Sequence, residues 1–235
     1  MGIMTLQRRE GFREGFEGTG PGTITPDGCA VELYVRLPVG DGPEVIAGAA
    51  PSGARILELG SGAGRMTHPL VKRGFAVTAI DESPEMLAQI HGARTVAATI
   101  QGLDLKERFD VVLLASCLVH TDDPRVRAEL LATCRRHVAD GGFVLIQREG
   151  EGWHDNLPQE RPIGDGVARI LSSEPVAPGV RSVRTEYVFP DATWTQTFRS
   201  RPLTTEQFEN ALAADGLTVD AYLTPDRTWV RALAA

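Results

Sequence analysis

Cysteine is scarce in this chain: Cys29, Cys117 and Cys134 are the only three among 235 residues. An odd number without a Cys-x-x-Cys pair excludes a disulfide framework and fits reduced thiols. Five scattered histidines add no zinc spacing, so no metal is expected. Positive charge is short as well. With 24 Lys+Arg against 31 Asp+Glu, the net charge is −7, and no stretch gathers cations for a phosphate backbone, which argues against nucleic acid as a partner. Nowhere do about eighteen apolar residues follow one another. The polar start, Met1 to Gly20, has no charged end leading into an apolar segment, so neither membrane insertion nor export is expected and the location is read as cytoplasmic. Internal repeats and low-complexity tracts are missing too.

What is present is apolar surface: 42% hydrophobic residues suffice for the core of one large domain. Residues 1–30, rich in Gly and charge with a turn at Thr25 to Gly28, cannot bury much on their own and read as a flexible N-terminal arm or lid. The remainder, 31–235, reads as one domain, with a core over 54–150 and a substrate-side part over 151–235. A short helix is expected over Cys29 to Leu37, then strand and helix patterns alternate. Strands are expected at 55–59, 76–80, 95–100, 111–115 and 143–147, and helices at 66–72, 84–90 and 125–138. That rhythm implies an α/β fold, a doubly wound, mostly parallel Rossmann-like sheet. After Glu151 the alternation changes: 183–189 and 193–199 form an added β-hairpin across Pro190-Asp191-Ala192. A helix starting at Thr204 or Thr205 ends at Asp215-Gly216, and two closing strands, 217–223 and 228–233, supply an antiparallel C-terminal strand.

The central signal is Ile56-Leu57-Glu58-Leu59-Gly60-Ser61-Gly62-Ala63-Gly64-Arg65, an apolar strand entering three alternate glycines and then a helix. Glycines belong where the backbone turns sharply or a Cβ would collide with a bound molecule. Dinucleotide binding wants a sixth-position glycine, and Arg65 stands there instead. The second strand delivers Asp81 at its end, where a carboxylate can accept bonds from two ribose hydroxyls, or simply cap the helix beginning near Ser83-Pro84.

These residues resemble the class I S-adenosylmethionine-dependent methyltransferase family, whose first motif is E/D-x-G-x-G-x-G and whose second strand ends in an acid. The resemblance covers 54–150. Phe109-Asp110-Val111-Val112 and Ala139-Asp140-Gly141-Gly142-Phe143 match later motifs more loosely, Asp140 replacing a proline. Leu113 to Asp122, Trp194 to Phe198 and Thr228-Trp229-Val230 resemble actinobacterial-type small-molecule methyltransferases. The resemblance implies S-adenosylmethionine as cofactor. It places Gly60, Ser61, Gly62 and Gly64 beside the methionine and ribose, Asp81 on the ribose, and Glu82 or Met86 near the adenosine. Thr99-Ile100 falls at the adenine edge, Ala115 at the end of the fourth strand of the family core, and Glu58 behind the glycine loop. Tyr34 would belong to a lid helix, and Arg65 would reach the cofactor's carboxylate or pair with a surface acid.

Methyl transfer needs alignment and dryness more than a triad, although a hydroxyl or ammonium acceptor must still lose a proton. His120, after the strand at 111–115, is the candidate base, with a purely structural histidine as the equal alternative. His154, after the strand at 143–147, is the second candidate, and Trp153 beside it could stack on an acceptor. Asp122-Asp123-Pro124 reads as a helix start rather than a metal site, and Cys117 as lining. The expected activity is methyl transfer to O, N or C of a small-molecule metabolite, in secondary metabolism, by a monomer or homodimer. Cofactor-assisted cyclisation or elimination, or a degenerate partner subunit, are the alternatives.

Overall fold

A computed structural model describes residues 11–235. In chain order the elements are β1 (Glu17–Thr19), α1 (Val31–Arg36), α2 (Gly42–Ala49), β2 (Arg55–Leu59), α3 (Thr67–Lys72), β3 (Ala76–Asp81), α4 (Pro84–Leu87), β4 (Arg94–Ala97) and β5 (Phe109–Leu114). A 3-10 turn (Leu118–His120) follows, then α5 (Pro124–His137), β6 (Val138–Gln147), β7 (Gln159–Ile163), β8 (Gly166–Ala177), β9 (Val180–Val188), β10 (Thr193–Ser200), α6 (Thr205–Ala214), β11 (Leu217–Tyr222) and β12 (Trp229–Ala234).

The apolar runs of β2 and β5 are continuous because both faces of their sheet are covered. Successive side chains point to opposite faces. Leu57, Leu59, Val112 and Leu114 pack with Leu130 and Leu131 of α5 and with Phe208 and Leu212 of α6. Ile56, Val111 and Leu113 pack on the other face with Ile46 of α2, Leu70 of α3 and Trp229. The sheet runs β11-β12-β6-β5-β2-β3-β4. Pairings from β6 to β4 are parallel, and β12 lies antiparallel to β6. This is the doubly wound sheet with an antiparallel C-terminal strand that the residue pattern implied. Each large aliphatic side chain buried here contributes about 1.5–3 kcal/mol of transfer free energy.

The helix starts follow local chemistry. Asp123 accepts the Arg125 amide at 2.8 Å with Pro124 in the first turn, so the paired aspartates begin α5 as expected. Thr204 and Gln207 form a reciprocal capping box, with bonds of 3.0 and 3.2 Å. Thr204→Ala should therefore cost about 1 kcal/mol, read as a lower urea midpoint. An unchanged midpoint would mean that the buried Phe208 and Leu212 hold α6 without its cap.

The second half departs from expectation. The β9–β10 hairpin is present, but it belongs to a separate five-stranded antiparallel sheet, β1-β10-β9-β8-β7, rather than extending the main one. The polar, proline-bearing β7 and β8, and the short helix α2, carry weak sequence periodicity and were not foreseen. Some elements are shorter than expected: α1 spans Val31–Arg36, α4 stops at Leu87 and β4 at Ala97. The arm expected over 1–30 lies outside the described residues as far as residue 10. From Gly11 on it has a place in the fold, because β1 pairs antiparallel with β10, Glu17 opposite Thr197, and Thr19 opposite Thr195. Its poor composition is compensated by a sheet edge that satisfies its backbone. Among the described residues no helix is long and apolar enough to cross a membrane.

Candidate active site

β2 sits where the chain reverses direction across the sheet, with β3 on one side and β5 on the other, and a crevice opens beyond the carboxyl ends of these strands. The glycine loop turns there. Gly60, Gly62 and Gly64 all have positive φ, at 73°, 54° and 88°. The amides of Gly60 and Ser61 donate to the Ile80 carbonyl at 2.8 and 2.9 Å, tying the loop to β3. Asp81 completes the tie: one carboxylate oxygen accepts the Gly62 amide at 2.8 Å and the other the Ser83 amide at 2.9 Å. Asp81 thus steadies the following turn, and it also lines the crevice. Burial pushes its carboxyl up, against the pull of these two amides.

The crevice is a cavity of about 370 Å³, within the range of small-molecule sites, about 300–1,000 Å³. Of the expected cofactor residues, Tyr34, Gly60, Gly62, Asp81, Glu82, Thr99 and Ile100 line it, as does His120. A Cβ on Gly62 would meet only Tyr34, at 3.7 Å, so this glycine fronts open space. The Ser61 hydroxyl is buried in the same loop with no hydrogen-bond partner among the described residues. Ser61 is not among the residues that line the cavity.

The other expected residues lie elsewhere. Gly64 serves packing: a Cβ there would stand 2.8 Å from the His68 ring. Met86 is buried with Val31 and Ala63, and Ala115 lies in the core under the sheet. Arg65 lines a separate cleft with Val35 and His68. Glu58 is buried beneath the loop, accepts the Thr67 hydroxyl at 2.6 Å, and is pushed up to about 7 by burial.

Both histidines are committed to internal bonds. His120 is 3% exposed; its Nε2 accepts the Glu149 amide at 3.0 Å, and Nδ1 lies 3.1 Å from the Arg201 carbonyl. That pattern fixes a neutral ring with its proton on Nδ1. Burial pushes its pKa down, with Glu149 opposing. Both ring nitrogens are thus engaged within the protein, and the ring also lines the cavity. His154 lines a second cavity on the far side of Glu149, where Nε2 contacts the Glu149 carboxylate at 2.9 Å, and Trp153 packs edge-on against it.

Sequence reasoning assigned no role to the residue joining these two. Glu149 lines both cavities, accepts the Ser200 hydroxyl at 2.6 Å, and lies 3.3 Å from His120 Nδ1. Burial pushes its carboxyl up, but hydrogen bonds from His154 and Ser200, with the nearby imidazoles, hold it below the ordinary range. Also unassigned were Gln196, Phe198 and Ser200, which project from β10 at every second residue into the first cavity, and Tyr187 on β9. The period-2 alternation of β10 was a readable signal; which sheet face it served was not. Arg13 and Asp27 of the arm also line the cavity, Arg13 paired with Glu82. After β5, Ser116 and Cys117 both take left-handed backbone conformations, φ 54° and 57°, a strained corner in the same wall. Burial pushes the Cys117 thiol up to about 12, so it lines the site uncharged. Among the described residues no three potential ligands cluster as a metal site.

A family model described as a methyltransferase domain matches residues 56–142. Ubiquinone biosynthesis O-methyltransferases are similar over part of the chain. The protein of Caulobacter vibrioides is 36% identical over 108 residues, covering 40% of this chain and 40% of its own length. That of Pseudomonas entomophila is 32% identical over 105 residues, covering 40% and 44%. The chain thus matches less than half the length of these curated relatives. Among solved structures, the CcbJ methyltransferase from Streptomyces caelestis superposes with a TM-score of 0.66 at 19% identity, covering 83% of this chain and 95% of the other. The sugar N-methyltransferase KedS8 from Streptoalloteichus does so with 0.67 at 18%, covering 92% and 98%. The structural likeness establishes the fold, and the matched segment carries the glycine loop and Asp81 within it. Residues 56–142 thus match a methyltransferase domain, and the described chain shares the fold of these methyltransferase structures.

Proposed function

We propose that the chain transfers a methyl group from S-adenosylmethionine to a nucleophilic O, N or C atom of a small metabolite, the reaction of a biosynthetic tailoring enzyme. The observation that carries this reading is Asp81: its carboxylate braces the Gly62 amide and faces the same cavity as Gly60 and Gly62. When bound, S-adenosylmethionine supplies an electrophilic methyl on a sulfonium. Asp81 would accept the ribose hydroxyls, and Ile100 with Leu118 would flank the base. Tyr34, Tyr187 and Phe198 also line the cavity, where their rings would exclude water from the reacting centre. In this reading the small sheet and residues 11–30 are the acceptor side, and the glycine-loop side of the crevice holds the cofactor. Calorimetry with S-adenosylhomocysteine is expected to show one-site binding. No heat with S-adenosylhomocysteine, together with saturable binding of a nicotinamide dinucleotide, would overturn the proposal.

A further inference from the structure

The charged side chains around the cavity are unevenly compensated. Among the described residues, four carboxylates line it, on Asp27, Asp81, Glu82 and Glu149, against two guanidinium groups, on Arg13 and Arg199. Arg13 is spent on Glu82, and Arg199 lies 3.3 Å from Glu14 and 3.6 Å from Asp122. Asp81 belongs to the ribose side in the proposed function. Among the described residues, Glu149 has no Lys or Arg partner, only a serine hydroxyl and two imidazoles.

These partners fix the carboxylate without saturating it. A carboxylate offers about four acceptor positions, whereas Oε1 takes the Ser200 hydroxyl and Oε2 faces the two rings. Its side chain is 6% exposed, held between the main sheet and β10, so it cannot swing out to bulk water. A buried carboxylate aimed into a cavity is costly without a cation. The rings of Tyr34, Tyr187 and Phe198, which line the same cavity, present negative π faces that favour a cation again.

We propose that Glu149 is the recognition carboxylate for a cationic nitrogen on the methyl acceptor, which makes amines the substrate class of this site. The inference rests on the methyl-transfer reading and concerns recognition. Ser200, His154 and His120 act as positioning residues that keep the carboxylate in place. Carboxylate-bearing small molecules are disfavoured by the same charge.

The test needs no knowledge of the natural acceptor. Protein saturated with S-adenosylhomocysteine is titrated in a calorimeter with three probes of one shape: benzylammonium, benzyl alcohol and benzoate. Benzylammonium should bind at least about tenfold more tightly than the alcohol, as a charge-assisted bond requires, and benzoate should give no heat. Glu149→Gln should abolish the preference for the ammonium while the affinity for S-adenosylhomocysteine is kept. Equal binding of ammonium and alcohol, stronger binding of benzoate, no binding of any probe, or a folded Glu149→Gln protein that retains the preference each overturns the inference. Should the variant fail to fold, the ranking of probes by the unaltered protein decides alone. Failure of S-adenosylhomocysteine itself to bind is a separate result, which removes the methyl-transfer reading and this inference with it.

Discussion

Asp81→Ala should weaken S-adenosylhomocysteine binding by roughly 30- to 150-fold, about 2–3 kcal/mol, the loss expected when hydrogen bonds to a charged acceptor disappear. Two losses combine. The ribose hydroxyls lose their acceptor, and the Gly62 amide, held at 2.8 Å by the same carboxylate, is released, so the glycine loop is no longer fixed to the end of β3. Asp81→Asn separates them, since an amide oxygen can still receive the Gly62 amide; it should fall between the native protein and the alanine variant. The charge also gives a pH dependence of known sign. Burial raises the Asp81 pKa, and ribose hydroxyls donate to the ionised form, so affinity should fall on acidification at a higher pH than an ordinary aspartate would give. Calorimetry over a pH series checks both effects. A well-folded alanine variant with native affinity would move Asp81 from the cofactor to the structural role it already plays with Ser83.

The parts that were legible in the sequence are those governed by local rules. A buried parallel strand reads as a continuous apolar run, and a glycine loop followed by a strand-end acid keeps its spacing in the fold; Gly60, Gly62 and Asp81 therefore fall in one wall. Caps are local too, as the Asp123 and Thr204 bonds show. The misplacements have a different origin. Gly64 and Met86 lie close in sequence to residues that face the cavity, but one packs on His68 and the other under Tyr34, a choice set by helix phase and tertiary neighbours. Glu149 was not assigned a role because its partners come from distant positions: Ser200 is 51 residues away, and His120 is 29. The second sheet assembles strands from both ends of the chain, β1 beside β10, and no linear pattern encodes that pairing.

Glu58 supplies the other large effect, and here stability is what changes. Its carboxyl is buried under the glycine loop with the Thr67 hydroxyl as its hydrogen-bond donor, and burial pushes it up to about 7, with Arg65 opposing and Asp81 adding. The ordinary value is 4.5, so between pH 4.5 and about 7 the folded protein holds a proton that the unfolded chain has released. Stability from this group is therefore complete below the lower value and declines as pH rises through the upper one, by up to about 3 kcal/mol in all. Glu58→Gln keeps the shape and an oxygen for Thr67 and cannot ionise. The glutamine variant should match the native protein within about 1 kcal/mol at pH 4.5 and exceed it by up to about 3 kcal/mol at pH 8. Urea unfolding across this range measures the difference, and parallel stability curves for the two proteins would refute it. The strand that carries the glycine loop therefore rests on a carboxyl that changes charge near neutrality. The residue chosen to make β2 more stable in alkali is also the one that would tell whether that charge is needed by the loop above it: a glutamine protein that gains stability but binds S-adenosylhomocysteine less well would place Glu58 in the service of the cofactor site.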